Sequence, residues 1–113
     1  VEHRRARTRY ALKRVKKKDG SIPEEVRREC VLLAEIDHPF ILRLVATFET
    51  DKGAYMLTEL ITGGELFTYT NKQMATLSRK HAQFYVGSLI IILEHLHERG
   101  IVYRDLKPEN VML

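Results

Sequence analysis

Residues 100–113 read "GIVYRDLKPENVML" and set Asp105, Lys107, Glu109 and Asn110 within six positions, with Pro108 among them and apolar residues on either side. Polar chemistry this dense between apolar flanks marks a loop whose side chains, rather than its packing, call for an explanation. The segment before it, "SRKHAQFYVGSLIIILEHLHERG" at 78–100, is the strongest helical pattern in the chain. Ser78 suits an N-cap, Gly100 lies past the end, and Ala82, Tyr85 or Val86, Leu89, Leu93 and Leu96 recur at helical spacing. Further isoleucines make it apolar nearly all round, which predicts burial on most sides and a core position. His95 and His97 point about 200° apart on such a helix. No cysteine or carboxylate completes a metal set with them, so they read as helix-surface side chains.

Working towards the N-terminus, "TGGELFTYT" at 62–70 opens on Gly63-Gly64 and then turns helical, which makes it the candidate linker between a strand-rich first part and a helical second part. Before it, "FILRLVATFET" and "GAYMLTELI" read as two strands joined by a turn around Asp51-Lys52-Gly53, a β-hairpin. "SIPEEVRRECVLLAEIDHP" reads as a helix with Ser21 as cap, Glu24 completing a capping box, Pro23 in the first turn and His38-Pro39 as the stop. Its inward stripe is Val26, Cys30, Leu33 and Ile36, and Glu29 falls on that same side. "RYALKRV" at 9–15 alternates as a strand, with Ala11, Lys13 and Val15 sharing one face. A lysine and a glutamate aimed inward from neighbouring elements each need a partner, and a Lys13–Glu29 ion pair would satisfy both.

The 113 residues suffice for one domain with a core, at 44% hydrophobic and 30% charged, and six Gly with three Pro do not suggest disorder. The longest apolar run, "LIIIL" at 89–93, is far below the roughly 18 residues of a membrane span. The basic N-terminus lacks an apolar segment behind it and an initiator Met, so it reads neither as a signal peptide nor as a natural start. The single Cys30 excludes an internal disulfide and fits a reducing, cytoplasmic compartment. The net charge of +4 is concentrated in Arg4, Arg5, Arg7, Arg9, Lys13, Arg14, Lys16, Lys17 and Lys18. No aromatic pattern accompanies these charges, so a solvated hairpin rim is favoured over a nucleic-acid surface.

"YRDLKPEN" resembles the catalytic loop of the protein kinases, in which His-Arg-Asp is followed after four residues by Asn; Asp105 and Asn110 keep that spacing. "YALK" resembles the family's Val-Ala-Ile-Lys strand, Glu29 matches its paired glutamate, and "YMLTEL" matches the segment leading into its hinge. The order is the same, and the resemblance covers essentially the whole chain. It implies an α+β, bilobal, partial protein-kinase-like fold: an antiparallel small-lobe sheet with one helix over 1–60, then hinge and helical large-lobe start over 61–113. It implies ATP and Mg²⁺ as cofactors and a protein substrate bearing Ser or Thr near basic residues. It implies no nucleic-acid partner and no integral membrane contact, and it allows a regulatory domain or subunit outside the chain.

The resemblance also implies roles. Asp105 would accept or orient the substrate hydroxyl proton, Lys107 would steady the γ-phosphate, and Asn110 would bind one Mg²⁺. Lys13 would hold the α- and β-phosphates and Glu29 would orient it. Ala11 would lie against the adenine, Thr58 would be the gatekeeper, Glu59 and Ile61 would offer backbone groups to the purine, Met112 would floor the pocket and Glu65 would meet the ribose. Leu33, Leu44 and Tyr103 match a hydrophobic column between the lobes. Lys107-Pro108-Glu109 resembles the serine/threonine type, and Tyr103 with "HPFILRL" and "GGELF" resembles the branch of the cyclic-nucleotide-dependent kinases and protein kinase C. The Gly-x-Gly-x-x-Gly loop and Asp-Phe-Gly of that family do not occur in these 113 residues, so the chain by itself is expected to be inactive. A pseudokinase or scaffold is the alternative; Lys13, Glu29, Asp105 and Asn110, all present, argue against it.

Overall fold

A computed structural model describes residues 1–72 and 77–113, with the side chain of Lys72 left aside. The chain divides into two compact units, Val1–Leu60 and Ile61–Leu113.

The first unit holds strand β1 (Tyr10–Val15), helix α1 (Glu24–Glu35), and strands β2 (Leu44–Thr50) and β3 (Gly53–Glu59). The sheet order is β1-β3-β2, antiparallel throughout, so β3 is central. Burial follows that placement: Met56, the most enclosed side chain, and Thr58 both lie on β3. The hairpin between β2 and β3 forms around Asp51-Lys52 as the turn residues predict. Gly53 adopts φ +148° beside the Val15 carbonyl, where a Cβ would collide with that oxygen. Ahead of β2, residues 40 and 41 are held in a turn rather than a strand, because the Phe40 N–H donates to His38 Nδ1 at 3.1 Å and the Ile41 N–H to the His38 carbonyl at 3.1 Å.

Helix α1 packs on β2, and its stripe Val26, Cys30 and Leu33 is half-buried. Its capping differs from the box read in the sequence. Pro23 occupies the cap position, and Ser21 is used in the preceding turn, where its N–H and hydroxyl donate to the Lys18 carbonyl at 3.0 and 3.2 Å. Burial of Ile22 explains the shift, since the chain turns inward there before the helix starts.

The second unit holds α2 (Leu66–Lys72), α3 (Arg79–His97) and a single 3-10 turn over Pro108–Asn110. Ser78 caps α3 through its hydroxyl, which accepts the His81 N–H at 3.3 Å, and Gly100 takes φ +70° beyond the other end. The expected burial on most sides of α3 is not observed: Leu96 is its buried residue, whereas Phe84, Val86, Ile90 and Ile91 are exposed. An apolar pattern sets what a helix is able to bury, but the second unit covers only part of this one's surface. Among the described residues, no helix is long and apolar enough to cross a membrane.

The two ends of the second unit are stitched together. The Gly63 N–H donates to the Leu113 carbonyl at 2.7 Å, the Leu113 N–H to the Gly64 carbonyl at 2.8 Å, and the Leu66 N–H to the Val111 carbonyl at 2.8 Å. Gly63 serves this close approach rather than flexibility, because a Cβ there would meet the Leu113 carbonyl.

Candidate active site

Lys13 lies at the middle of β1, opposite Met56 in the register, and Glu29 at the middle of α1. Their side chains meet, Lys13 Nζ donating to Glu29 Oε1 at 3.2 Å. The pair forms as the sequence predicts, but not as a buried one: the side chains are 58% and 44% exposed. One helix over a three-stranded sheet does not enclose groups this long. In that setting the bond contributes at most about 1 kcal/mol to stability, so its value is positional.

The register places Ala11 directly opposite Thr58. The buried Thr58 hydroxyl donates to the Glu59 carbonyl at 3.2 Å. Glu59 ends β3, and Ile61 opens the second unit, where it is half-buried. Glu65 and Met112 are partners in an antiparallel bridge within the stitched ends of that unit, so two residues far apart in sequence, singled out for one nucleotide, are neighbours. Met112 is half exposed. Leu33 and Leu44 are half-buried in the first unit, and Tyr103 is exposed in the second.

Asp105 sits between two donors. Lys107 Nζ lies 3.0 Å from Oδ1, and Asn110 Nδ2 donates at 2.9 Å both to Oδ2 and to the Asp105 backbone carbonyl. The 3-10 turn makes this possible: Lys107 leads into it extended, and Pro108 locks its first φ, which brings Asn110 back over Asp105. Hydrogen bonds from Lys107 first and Asn110 second hold the Asp105 carboxyl below its ordinary range, and the Asp105 carboxylate in turn raises Lys107. Both groups are therefore charged at neutral pH.

The acceptor inventory fits a phosphoryl-transfer site. Each Asp105 oxygen has a lone pair beyond its donor, Lys107 keeps further N–H groups, and Asn110 Nδ2, once committed to Asp105, leaves the amide Oδ1 as the atom suited to a hard cation. Immediately before Asp105, Arg104 holds φ +61°, a conformation that costs a non-glycine residue about 1–3 kcal/mol and clusters at functional loops. Sequence reading gave no sign of that backbone state, nor of the Gly63–Leu113 stitch.

A sequence description of the protein kinase domain matches residues 1–113. The chain belongs to the protein kinase family. Its similarity to a cGMP-dependent protein kinase of Plasmodium berghei (strain Anka) is 54% identity over 116 aligned residues, covering all of this chain and 13% of that protein. A cGMP-dependent protein kinase of Eimeria tenella is 48% identical, over all of this chain and 12% of its own length. Human ribosomal protein S6 kinase alpha-2 is 41% identical over 106 residues, 92% of this chain and 14% of that protein. The protein kinase chain described here thus spans between 12% and 14% of the length of these relatives. They agree with the branch of the cyclic-nucleotide-dependent kinases and protein kinase C read from Tyr103, "HPFILRL" and "GGELF". The three-stranded antiparallel sheet with its helix, followed by helices, is the partial bilobal kinase fold expected from the sequence.

Proposed function

We propose that the protein containing this chain is a serine/threonine protein kinase that transfers the γ-phosphate of ATP to a Ser or Thr hydroxyl of a protein substrate. The observation that carries the reading is Asp105, ionised and held between Lys107 and Asn110.

In this reading Lys13 binds the α- and β-phosphates, and Glu29 holds its ammonium in place from α1. Asp105 takes the substrate hydroxyl's hydrogen bond on a carboxylate oxygen, orienting the nucleophile for in-line attack. Lys107 turns its remaining N–H groups to the transferred phosphate. Asn110 Oδ1 would hold a Mg²⁺ ion, which, when bound, supplies positive charge to the phosphate oxygens. Ala11 and Thr58 flank the purine, the backbone groups of Glu59 and Ile61 read its edge, and Glu65 and Met112 serve ribose and pocket floor. The proposal extends to a substrate with basic residues near the acceptor and to a cytoplasmic setting, in keeping with one unpaired thiol.

The test is phosphate transfer from ATP to a basic Ser/Thr peptide by the full-length protein with Mg²⁺. Asp105→Asn is expected to lower kcat by on the order of 10²–10⁴ with nucleotide affinity retained. Turnover by that variant at the unmodified rate would overturn the reading.

A further inference from the structure

At the end of β3 the hydrogen bonds leave the ladder. The register pairs Leu44 with Thr58, so Arg43 and Glu59 face each other next. In a regular antiparallel ladder every second facing pair exchanges two bonds, each N–H donating to the other's carbonyl, and this pair is one of them. Half of that exchange is made, the Glu59 N–H donating to the Arg43 carbonyl at 3.1 Å. The other half is diverted: the Arg43 N–H donates to the Glu59 side chain, at Oε1, 2.7 Å away. A carboxylate is the stronger acceptor and makes the shorter bond.

The opposite neighbour does not claim the freed carbonyl either. Tyr10, the β1 partner of Glu59, gives its own N–H to the Val1 carbonyl at 2.8 Å and accepts the Val1 ammonium on its carbonyl at 2.8 Å. The Glu59 carbonyl receives the Thr58 hydroxyl at 3.2 Å, and a carbonyl has a second lone pair.

We propose that the Glu59 carboxylate is a positioning residue for adenine recognition: by holding the Arg43 N–H, it keeps the Glu59 main-chain carbonyl off the ladder and open to the amino group of an adenine. The inference rests on the nucleotide site proposed above. It assigns to the side chain a task separate from the backbone contact itself, and it ties the loop after α1 to the purine edge.

The experiment compares equilibrium binding of ATP and of purine riboside triphosphate, which lacks the amino group, to the full-length protein. The unmodified protein is expected to prefer ATP by about fivefold to tenfold, the scale of one hydrogen bond. In Glu59→Ala the Arg43 N–H returns to the carbonyl, so ATP falls to the level of the analogue while the analogue shifts less than about twofold. Glu59→Gln, which keeps an acceptor oxygen, restores the preference. Equal weakening of both nucleotides in Glu59→Ala, or an undiminished preference, overturns the positioning role alone. Binding of neither nucleotide by the unmodified protein overturns the proposed function and this inference with it.

Discussion

Asn110 donates from one nitrogen to two oxygens of Asp105, the backbone carbonyl and Oδ2, each at 2.9 Å. A single amide thereby fixes both where the carboxylate sits and which way it points. Asn110→Ala removes both bonds and the amide oxygen proposed for Mg²⁺ together, so the proposed phosphate transfer is expected to fall by at least about 10². Steady-state kinetics check this, and a loss under threefold would separate Asn110 from the reaction.

Lys107 is the first and Asn110 the second cause of the lowered Asp105 pKa. Lys107→Met lets that pKa rise, so the acid limb of the kcat/KM profile moves to higher pH. In the unmodified chain the lowered carboxyl adds stability above its unfolded value of about 3.9 and loses it as pH falls through the folded value. Lys107 behaves in mirror image, since its raised pKa adds stability below about 10.4 that disappears as pH rises through the folded value. Carbon-13 titration of the Asp105 carboxyl, with and without Lys107→Met, reads the shift directly; coincident midpoints would contradict it.

Glu29→Gln separates positioning from stability. The exposed Lys13–Glu29 pair contributes at most about 1 kcal/mol, so Tm should barely move. In the nucleotide site proposed above, displacement of the Lys13 ammonium from the phosphates is expected to cost on the order of 10² in kcat/KM. Thermal unfolding and kinetics on one preparation decide it: a large Tm drop would make the pair structural.

Gly63→Ala drives a Cβ into the Leu113 carbonyl and opens the stitch that brings Glu65 to Met112. Loss of the two backbone bonds that join Gly63 and Gly64 to Leu113 is expected to destabilise the second unit by about 1–3 kcal/mol. Hydrogen exchange at the Leu113 amide should quicken, whereas Met56 and its neighbours on β3 should exchange as before. Unchanged Leu113 protection would refute the contact.

Much of the candidate site's geometry was legible because its contacts are local. Asp105, Lys107 and Asn110 lie within one loop, and a proline at 108 turns that loop back on itself, so spacing alone brings the three together. Ser78 and Gly100 bound α3 by capping chemistry that acts within one turn. The Lys13–Glu29 pair was accessible because two periodicities, of strand and helix, each aimed a charge at the other element.

Burial was not legible in the same way. Ile90 and Ile91 count as core in an apolar pattern yet stand exposed, and Lys13 counts as inward yet is largely solvated. Whether a face is covered depends on what packs against it, which no periodicity within the element records. Ser21 likewise has the right type for a cap, but the turn with Lys18 competes for its hydrogen bonds and wins.

The sequence by itself determined the elements, their order and the polar side chains that meet at Lys13 and at Asp105, because propensity, capping and charge act over a few residues. The tertiary structure alone decided which atoms remain available. The Arg43 N–H chooses the Glu59 carboxylate over its carbonyl, and Gly63 admits the Leu113 carbonyl, because hydrogen-bond donors settle on the best acceptor that folding brings within reach.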